Sequence, residues 1–373
     1  MAKILILASW FPEPQNPHKG IFILRQAQAL ALNHEVALVY ARKTQGKERA
    51  GLLQEEFGKL KIYTQVYAGS VSSKNFLKHL ALAQNAAEAE LGKADRTLVE
   101  VLHPAGLLAW KNSLLKRRPY YISEHLDLFL REDMGLDKST TFGMKIRKLV
   151  HARAKRTSIS STALKNSFAK RGIPRLFIIP NVVDIPDKAP SSWSSPEKKR
   201  LIHISSLRDH QKNIRGILQG LALLKEKRQD WYFEFLGDGP EREHHEALIQ
   251  ELQLSDFVSF KGYVSEEDKI AALQSSQAHI MLSHYEGFSV ATAEAIAYGC
   301  PVIVSDCGGP GDFVVPENGY LIEKDPSILA ATVDQHLDRY HEFDRQAMYE
   351  YIKERYSHQA VLEAYEEFLG LGD

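Results

Sequence analysis

The chain has 373 residues, a length that favours two domains of comparable size over a single hydrophobic core. Its 44% hydrophobic and 25% charged residues are typical of a folded globular protein and exclude wholesale disorder. A formal net charge of zero disfavours nucleic acid as a partner.

The cysteine content and the N-terminal residues predict a cytoplasmic protein. Cys300 and Cys307 are too few for a disulfide framework or a zinc site, so a reducing compartment is expected. The apolar run 3–11 is broken by Pro12 and resembles a first buried strand more than a secretion signal. No apolar run in the sequence approaches the length needed to span a bilayer.

Short apolar runs alternate with helical patterns along the chain. In the first half, strands are predicted at 4–7, 36–40, 62–67, 98–102, 120–123, 157–159 and 177–179. In the second half, they are predicted at 201–204, 232–236, 258–260, 279–282 and 302–304. Helices are predicted between most of them, including 21–32, 75–91 and 141–155. Such alternation is typical of parallel sheets with right-handed crossovers.

The segment 185–198 is the predicted linker between domains. It holds three prolines and four serines, which neither continue a helix nor fit a central strand. The expected domains are 1–184 and 199–343, and 344–373 is expected to form a C-terminal helix that crosses back to the first domain. The predicted architecture is α/β, with two doubly wound domains facing each other across a cleft.

Two carboxylates lie eight residues apart, on either side of a strand-to-helix turn. Glu286 follows the predicted strand 279–282, and Glu294 lies in a helical segment that the Ser289 hydroxyl is expected to cap. Loops at the carboxyl ends of strands line the ligand crevice of open α/β sheets. Both acids are therefore candidate ligand-binding residues.

A basic loop follows the predicted strand 201–204. It carries Arg208 and Lys212 directly before a helix start. Two cations and a helix N-terminus at one place favour a bound phosphate, although a solvated basic loop has the same composition.

Glycine turns follow the next two predicted strands. Gly239 lies in a Gly-Asp-Gly-Pro turn, where glycine permits close backbone approach. This turn lacks the third glycine of a dinucleotide fingerprint. After the following strand, Gly262, Tyr263 and Val264 are expected to frame a flat base.

Together, these features resemble the nucleotide-sugar-binding domain of family-4 glycosyltransferases, which are retaining enzymes with two Rossmann-like domains in the GT-B architecture. The resemblance is carried by Arg208/Lys212, Gly237-Asp238-Gly239-Pro240, Gly262, Ser283-x-x-Glu286-Gly287-Phe288, Glu294-Ala295, Gly299-x-Pro301-Val302-Ile303, Gly308-Gly309 and Asn318-Gly319-Tyr320-Leu321.

The resemblance assigns roles to individual residues of the second domain. By similarity, Glu294 would bind the ribose hydroxyls, and Glu286 would contact hydroxyls of the transferred sugar. Arg208 and Lys212 would neutralise the departing diphosphate. The further donor contacts that it implies are Gly239, Gly262, Tyr263, Val264, Gly287, Phe288 and Ser289.

The first domain, expected to bind the acceptor, offers two more candidates. The Pro-rich loop 12–20 ends in Gly20 at a predicted helix start, where backbone amides can face a phosphate or a sugar hydroxyl. It resembles the family's loop that closes on the donor, with one glycine in place of the usual pair. His125 ends a predicted strand and matches the family's histidine facing the donor sugar. Gly20 is therefore a predicted donor contact and His125 a predicted catalytic residue.

The resemblance implies retaining transfer of a sugar from a nucleoside-diphosphate sugar to a hydroxyl of a glycan or lipid-linked acceptor, in cell-envelope polysaccharide synthesis. It implies neither a cofactor nor a metal. The expected mechanism is same-face attack by the acceptor hydroxyl, with the leaving phosphate taking the proton. Two alternatives are a GT-B-fold sugar-nucleotide epimerase and a non-catalytic nucleotide-sugar-binding subunit. A nicotinamide-dependent dehydrogenase is disfavoured because Gly-x-Gly-x-x-Gly is missing after the first strand.

The stretch 145–175 holds ten Lys or Arg residues and no acid. A solvated helix face is the simpler interpretation. The alternative is contact of Lys145–Arg156 with an anionic membrane, where a basic segment gains roughly 1 kcal/mol per charge. A lipid-linked acceptor would place the protein at the inner face of the membrane.

Overall fold

The computed structural model describes residues 1–130, 138–191, 193 and 196–371. These residues form two compact units. The first comprises Met1–Val182 and the chain from His358 onward, and the second comprises Val183–Ser357. Each unit has its own largely parallel sheet connected by helices, so the predicted α/β class with two Rossmann-like domains is confirmed.

The first strand, at residues 3–8, is an apolar run in which the side chains of residues 4–8 are fully buried, as expected for a strand covered on both faces. The strands are β1 (Lys3–Ala8), β2 (Glu35–Lys43), β3 (Gly51–Phe57), β4 (Leu60–Tyr67), β5 (Arg96–Glu100), β6 (Tyr121–Glu124), β7 (Thr157–Ile159), β8 (Leu176–Ile178), β9 (Lys199–Ile204), β10 (Trp231–Leu236), β11 (Val258–Gly262), β12 (Ala278–Met281), β13 (Val302–Ser305) and β14 (Gly319–Ile322).

The helices often begin at a side chain that accepts an amide of the first turn. Ser72 caps one helix by accepting from the Asn75 N–H, and Ser265 caps another by accepting from the Asp268 N–H. The helices are α1 (Ile21–Ala31), α2 (Ser73–Leu91), α3 (Ala105–Leu115), α4 (Lys138–Arg153), α5 (Thr162–Lys170), α6 (Asp209–Lys212), α7 (Ile214–Lys225), α8 (Arg242–Glu251), α9 (Glu266–Ser275), α10 (Val290–Ala297), α11 (Pro326–Arg339), α12 (Arg345–Tyr356) and α13 (His358–Leu369). Over the described ranges, none of these helices combines the length and hydropathy required to cross a membrane.

In the first unit, the strand order is β3-β4-β2-β1-β5-β6-β7-β8. The direction of the order reverses at β1, so the loops after β1 and β5 diverge at a switch point. The edge strand β3 pairs antiparallel with β4 and escapes sequence-based prediction, because almost all of its side chains are exposed and no buried run marks it.

In the second unit, the strand order is β11-β10-β9-β12-β13-β14, and all pairs are parallel. Here the order reverses between β9 and β12. The loops after these two strands therefore leave a crevice at the carboxyl edge of the sheet, which is where open α/β sheets bind ligands.

The C-terminal stretch predicted as one helix over 344–373 is two helices in the structure. The break is at Ser357, whose backbone is extended. α12 belongs to the second unit and α13 to the first. One apolar stripe of α13 lies in the first unit's core, because its side chains recur at helical spacing. The stripe consists of Val361, Leu362, Tyr365, Phe368 and Leu369.

The described part of the predicted linker packs on the second unit. The indole N–H of Trp193 donates to the Phe343 carbonyl over 2.9 Å, and the Arg345 guanidinium lies 4.5 Å from the Trp193 ring centroid. Pro190 approaches Gly299 so closely that a Cβ there would lie 2.8 Å from the proline Cγ. These contacts hold the segment to the second unit.

Candidate functional site

The switch point of the second sheet collects charged residues from two loops. Arg208 and Lys212 come from the loop and short helix after β9, and Glu286 comes from the loop after β12. Arg208 is exposed, and its guanidinium makes no hydrogen bond or ion pair with the residues that the structure describes. The structure thus places two predicted cations and one predicted acid around the crevice.

Lys212 and Glu286 form an ion pair across this crevice. The Lys212 Nζ lies 2.5 Å from the Glu286 Oε1, and the Ser283 hydroxyl donates to the same oxygen over 2.8 Å. The Lys212 side chain is 14% exposed and that of Glu286 is 7% exposed. Low exposure strengthens the attraction because less water screens the charges. The pair fixes the direction of both side chains.

The loop that carries Glu286 is held by the loop after β13. The Glu286 N–H donates to the Cys307 carbonyl and its own carbonyl accepts from the Gly309 N–H, both over 2.9 Å. A Cβ on Gly309 would lie 2.5 Å from the Phe288 Cα and 2.6 Å from the Gly287 carbonyl oxygen. Glycine at 309 is therefore required by the close approach of the two loops.

Glu294 lies on α10 and forms an ion pair with Lys269 of α9. The Lys269 Nζ is 3.0 Å from the Glu294 Oε2 and 2.7 Å from the Glu266 Oε1. Burial lowers the pKa of the Lys269 ammonium, but the two carboxylates raise it more, and the net direction is upward. Sequence reasoning misses Lys269, because a lysine within a helix gives no signal until its spatial neighbours are known.

Two predicted donor contacts use their side chains for other purposes. Phe288 is 3% exposed and its ring packs 5.2 Å from that of Phe313, so only its backbone is available to a donor. The expected cap, in which the Ser289 hydroxyl would accept a hydrogen bond from a backbone N–H in the first turn of α10, is absent from this described segment. Its backbone is left-handed, with φ of 74°, and its hydroxyl lies 2.8 Å from the Thr292 Oγ1 instead.

The glycine turns after β10 and β11 have structural reasons of their own. A Cβ on Gly239 would lie 2.7 Å from the Leu207 carbonyl oxygen, and Gly262 has a φ of 70°. Tyr263 is 70% exposed, whereas Val264 is packed against the core of the second unit. A donor role for these residues therefore stays a prediction.

In the first unit, Gly20 follows β1 and begins α1. Its φ is 65°, and a Cβ there would lie 3.2 Å from the Phe11 backbone nitrogen. One glycine is thus enough for the turn that this loop makes. Gly20 and His125 belong to the first unit, and the other predicted site residues belong to the second.

His125 is part of a buried polar cluster at the carboxyl end of the first sheet. Its Nε2 lies 3.2 Å from the Glu100 Oε2 and 2.9 Å from the Ser123 Oγ. The Tyr365 hydroxyl of α13 lies 3.1 Å from the Ser123 Oγ and donates to the Glu100 Oε1 over 3.4 Å. A carboxylate only accepts, so the Nε2 of His125 is the nitrogen that carries a proton toward Glu100. Burial and the nearby Glu100 raise the pKa of Tyr365 well above its usual value, which keeps it a donor.

The His125 imidazole is shielded from solvent in this structure. Its side chain is 5% exposed, and the Phe22 ring covers it with the centroids 4.3 Å apart. A catalytic role for His125 therefore stays a prediction. Glu100 gives a weak signal in the sequence, as an acid within an apolar strand. Tyr365 gives none, because α13 joins this cluster only through the fold.

The basic stretch divides into arginines bound to the protein and lysines that face solvent. Arg147 donates to the fully buried Glu124 carboxylate over 2.9 Å. Lys145 and Lys148 are exposed, and the neighbouring Leu149 is 59% exposed. Arg147 consequently belongs to the interior contacts of α4 and not to its outer face.

The two cysteines are free and buried. Burial raises the pKa of the Cys300 and Cys307 thiols to about 12 each, so both are protonated at neutral pH and are weak nucleophiles. Within the described part of the chain, no three or more His, Cys, Asp or Glu side chains are grouped so that they could hold a metal ion.

Sequence comparison relates the second unit to a known family. Residues 186–355, which make up most of the second unit, match the family described as Glycosyl transferases group 1. The lipopolysaccharide 1,6-galactosyltransferase of Escherichia coli (strain K12) is 27% identical over 180 residues, which are 46% of this chain and 49% of that protein. The chain spans about half the length of the curated relatives it matches.

Solved structures resemble the whole chain in fold. The sucrose-phosphate synthase of Thermosynechococcus elongatus superposes with a TM-score of 0.73 at 17% identity, over 99% of this chain and 98% of that one. The Anabaena protein HepE in complex with UDP gives a TM-score of 0.73 at 17% identity, over 99% and 100% of the two chains. These likenesses confirm the predicted GT-B fold.

Proposed function

We propose that this protein is a metal-independent, retaining glycosyltransferase of the family-4 type. It transfers a sugar from a nucleoside-diphosphate sugar to a hydroxyl of a glycan or lipid-linked acceptor, in cell-envelope polysaccharide synthesis. The observation that carries the proposal is the Lys212–Glu286 ion pair at the switch point of the second sheet. The group 1 domain and the similar galactosyltransferase of lipopolysaccharide synthesis support it.

The proposed donor site uses charges that the crevice already holds. Glu294 accepts the ribose hydroxyls, and the ammonium of Lys212 and the exposed guanidinium of Arg208 bind the diphosphate. UDP bound to the similarly folded HepE supports a nucleoside diphosphate as the ligand class. Glu286 faces hydroxyls of the transferred sugar, in an orientation that Ser283 and Lys212 fix.

The proposed chemistry requires no enzyme nucleophile. The bond between the sugar C1 and the diphosphate oxygen breaks, and its electron pair leaves with the phosphate. The acceptor oxygen forms a bond to C1 on the same face, and its proton passes to the departing phosphate oxygen. Arg208 and Lys212 stabilise the negative charge that develops on the phosphate, an electrostatic effect of roughly 3–4 kcal/mol per well-placed donor.

We further propose that the outer face of α4 contacts an anionic membrane at which a lipid-linked acceptor is presented. This face carries the exposed Lys145, Lys148 and Leu149, a combination of cations and apolar surface that suits a lipid interface. Arg147 is excluded from it by its ion pair with Glu124. Within the predicted contact segment Lys145–Arg156, the proposed membrane contact therefore uses Lys145, Lys148 and Leu149 and does not use Arg147.

The first experiment is a calorimetric titration of the protein with UDP, GDP, ADP and CMP, with and without EDTA, followed by incubation with the matching sugar nucleotides. Slow transfer to water reports stereochemistry without a known acceptor. We expect one nucleoside diphosphate to bind equally with EDTA, and proton NMR to show the freshly released sugar in the anomeric configuration of the donor. Release of the opposite anomer, an epimerised sugar nucleotide, or no nucleotide binding would contradict the proposal.

A further inference from the structure

The second predicted carboxylate, Glu294, has a cation of its own in the fold. Its side chain is 6% exposed, and the Lys269 ammonium, 14% exposed, lies 3.0 Å from its Oε2. Lys269 is on α9 and Glu294 is on α10, so the ion pair links two helices that follow different strands. The same ammonium contacts the more exposed Glu266 at 2.7 Å.

Burying a carboxylate costs free energy unless a counter-charge compensates for the lost hydration. Among the described residues near Glu294, Lys269 supplies that charge. The ammonium also fixes the carboxylate, because Lys269 is itself held by Glu266 at the start of α9. A carboxylate that is already held in place loses less conformational entropy than a mobile one when it accepts hydrogen bonds from sugar hydroxyls.

We propose that Lys269 is a positioning residue of the donor site, which compensates the charge of the Glu294 carboxylate and orients it so that the ribose 2′- and 3′-hydroxyls donate to it. This inference rests on the proposed function, because it takes Glu294 as the ribose-binding residue. Lys269 acts through Glu294 and needs no contact with the nucleotide. An alternative role, in which the ion pair only joins α9 to α10, would affect stability without affecting recognition of the ribose.

The test compares a nucleotide with its analogue that lacks both ribose hydroxyls. Calorimetry gives the dissociation constants of UDP, GDP and ADP and of their 2′,3′-dideoxy counterparts, for wild type and for Lys269→Met. For the nucleotide that binds, we expect the wild type to prefer the ribose form by about tenfold or more. In Lys269→Met this preference should fall to within about twofold, while the dideoxy form binds as it does to wild type.

Three controls make the result specific. Lys269→Arg keeps the positive charge and should restore most of the preference for ribose. Lys227→Met removes a lysine whose 3.6 Å pair with Asp334 is at the surface, and should leave the preference unchanged. A thermal melt of each variant tests folding, because a lower melting temperature with an unchanged preference identifies a purely structural ion pair.

The outcomes separate this inference from the function on which it rests. Wild-type binding with a ribose preference that Lys269→Met retains would overturn the role of Lys269 alone. Wild-type binding of none of the nucleotides would overturn the proposed function and this inference together. Loss of the preference in Lys269→Met, with recovery in Lys269→Arg, supports the inference.

Discussion

The Lys212 ammonium lies 2.5 Å from the Glu286 carboxylate, although 74 positions separate the two residues in the chain. They meet because β9 and β12 are neighbours in the sheet and the loops after them face one crevice. The carboxylate holds the cation in place before any ligand arrives. A charge that is already in position needs little reorganisation when a phosphate binds beside it, and such preorganisation is the main source of electrostatic catalysis.

Replacement of this cation is expected to reduce turnover much more than folding. In Lys212→Met, we expect kcat with the preferred sugar nucleotide to fall by about 100-fold or more, because one donor to the developing phosphate charge is lost. The Ser283 hydroxyl still donates to Glu286, which limits the loss of stability. Steady-state kinetics and a thermal melt measure the two effects. Lys227→Met is the matched control, and wild-type kcat in a folded Lys212→Met would refute the assignment.

The contact between the loop after β12, which carries Glu286, and the loop after β13 can be tested by substituting two glycines of the second loop. In Gly309→Ala, the new Cβ would collide with the Phe288 Cα at 2.5 Å and displace the loop of Glu286. In Gly311→Ala, the nearest atom would lie at 4.0 Å, and no displacement is expected. We expect calorimetry to show at least about tenfold weaker nucleotide binding for Gly309→Ala and unchanged binding for Gly311→Ala. Equal affinities in the two variants would show that this close packing does not shape the site.

The Tyr365 hydroxyl, which α13 places in the first unit, should stabilise the fold. Tyr365→Phe removes the partner of the Ser123 Oγ and of the Glu100 Oε1 in a fully buried cluster. We expect the free energy of unfolding to fall by about 1–3 kcal/mol, because buried polar atoms lose a hydrogen bond. Urea denaturation measures this loss. Tyr351→Phe is the control, because the Tyr351 ring contacts Arg355, and it should change the free energy of unfolding by less than about 0.5 kcal/mol. Equal losses in the two variants would show that the Tyr365 hydroxyl does not stabilise the fold through Ser123 and Glu100.

Buried histidines should make the second unit sensitive to acid. Burial lowers the pKa of His336 to about 4, and its Nε2 lies 2.8 Å from the Gln277 carbonyl oxygen. In the unfolded chain the same group has its usual pKa of about 6.5, so only the unfolded state binds this proton between the two values. The stabilisation is complete above about pH 6.5 and is lost as the pH falls toward 4.

His336→Gln keeps a donor for the Gln277 carbonyl but cannot titrate. Between pH 7 and pH 5, we expect the variant to lose about 2 kcal/mol less of its unfolding free energy than wild type does. Urea denaturation at both pH values measures the difference. The other titrating groups are common to the two proteins, so identical losses would show that His336 is not a neutral buried group in the native state.

The outer face of α4 should bind anionic vesicles. We expect Lys145→Glu/Lys148→Glu to bind phosphatidylglycerol-containing vesicles at least about thirtyfold more weakly than wild type, since two cations near the surface contribute about 2 kcal/mol. Vesicle co-sedimentation measures the change, with phosphatidylcholine vesicles as the uncharged reference. Lys225→Glu/Lys227→Glu, on the second unit, makes the same change of charge elsewhere. Equal binding of both double variants would show that the outer face of α4 is not a membrane-binding surface.

Much of the fold can be predicted from local patterns. Buried strands such as β1 are continuous apolar runs, so their positions follow from the sequence. The exposed β3 has no such run, so the local sequence does not indicate a strand there. It forms a strand because it pairs antiparallel with β4. The break at Ser357 also escapes prediction, because residues on both sides of it are good helix formers and only packing on different units separates them.

From motif spacing, the sequence predicts that Glu286, Glu294 and Lys212 carry the chemistry of the candidate site, and these roles stay predictions. It could not determine their partners. Lys269 reaches Glu294 only when α9 packs beside α10, and Tyr365 reaches Ser123 only when α13 joins the first unit. These pairings follow from the tertiary structure, because burial and charge compensation depend on distances between residues that are far apart in the chain.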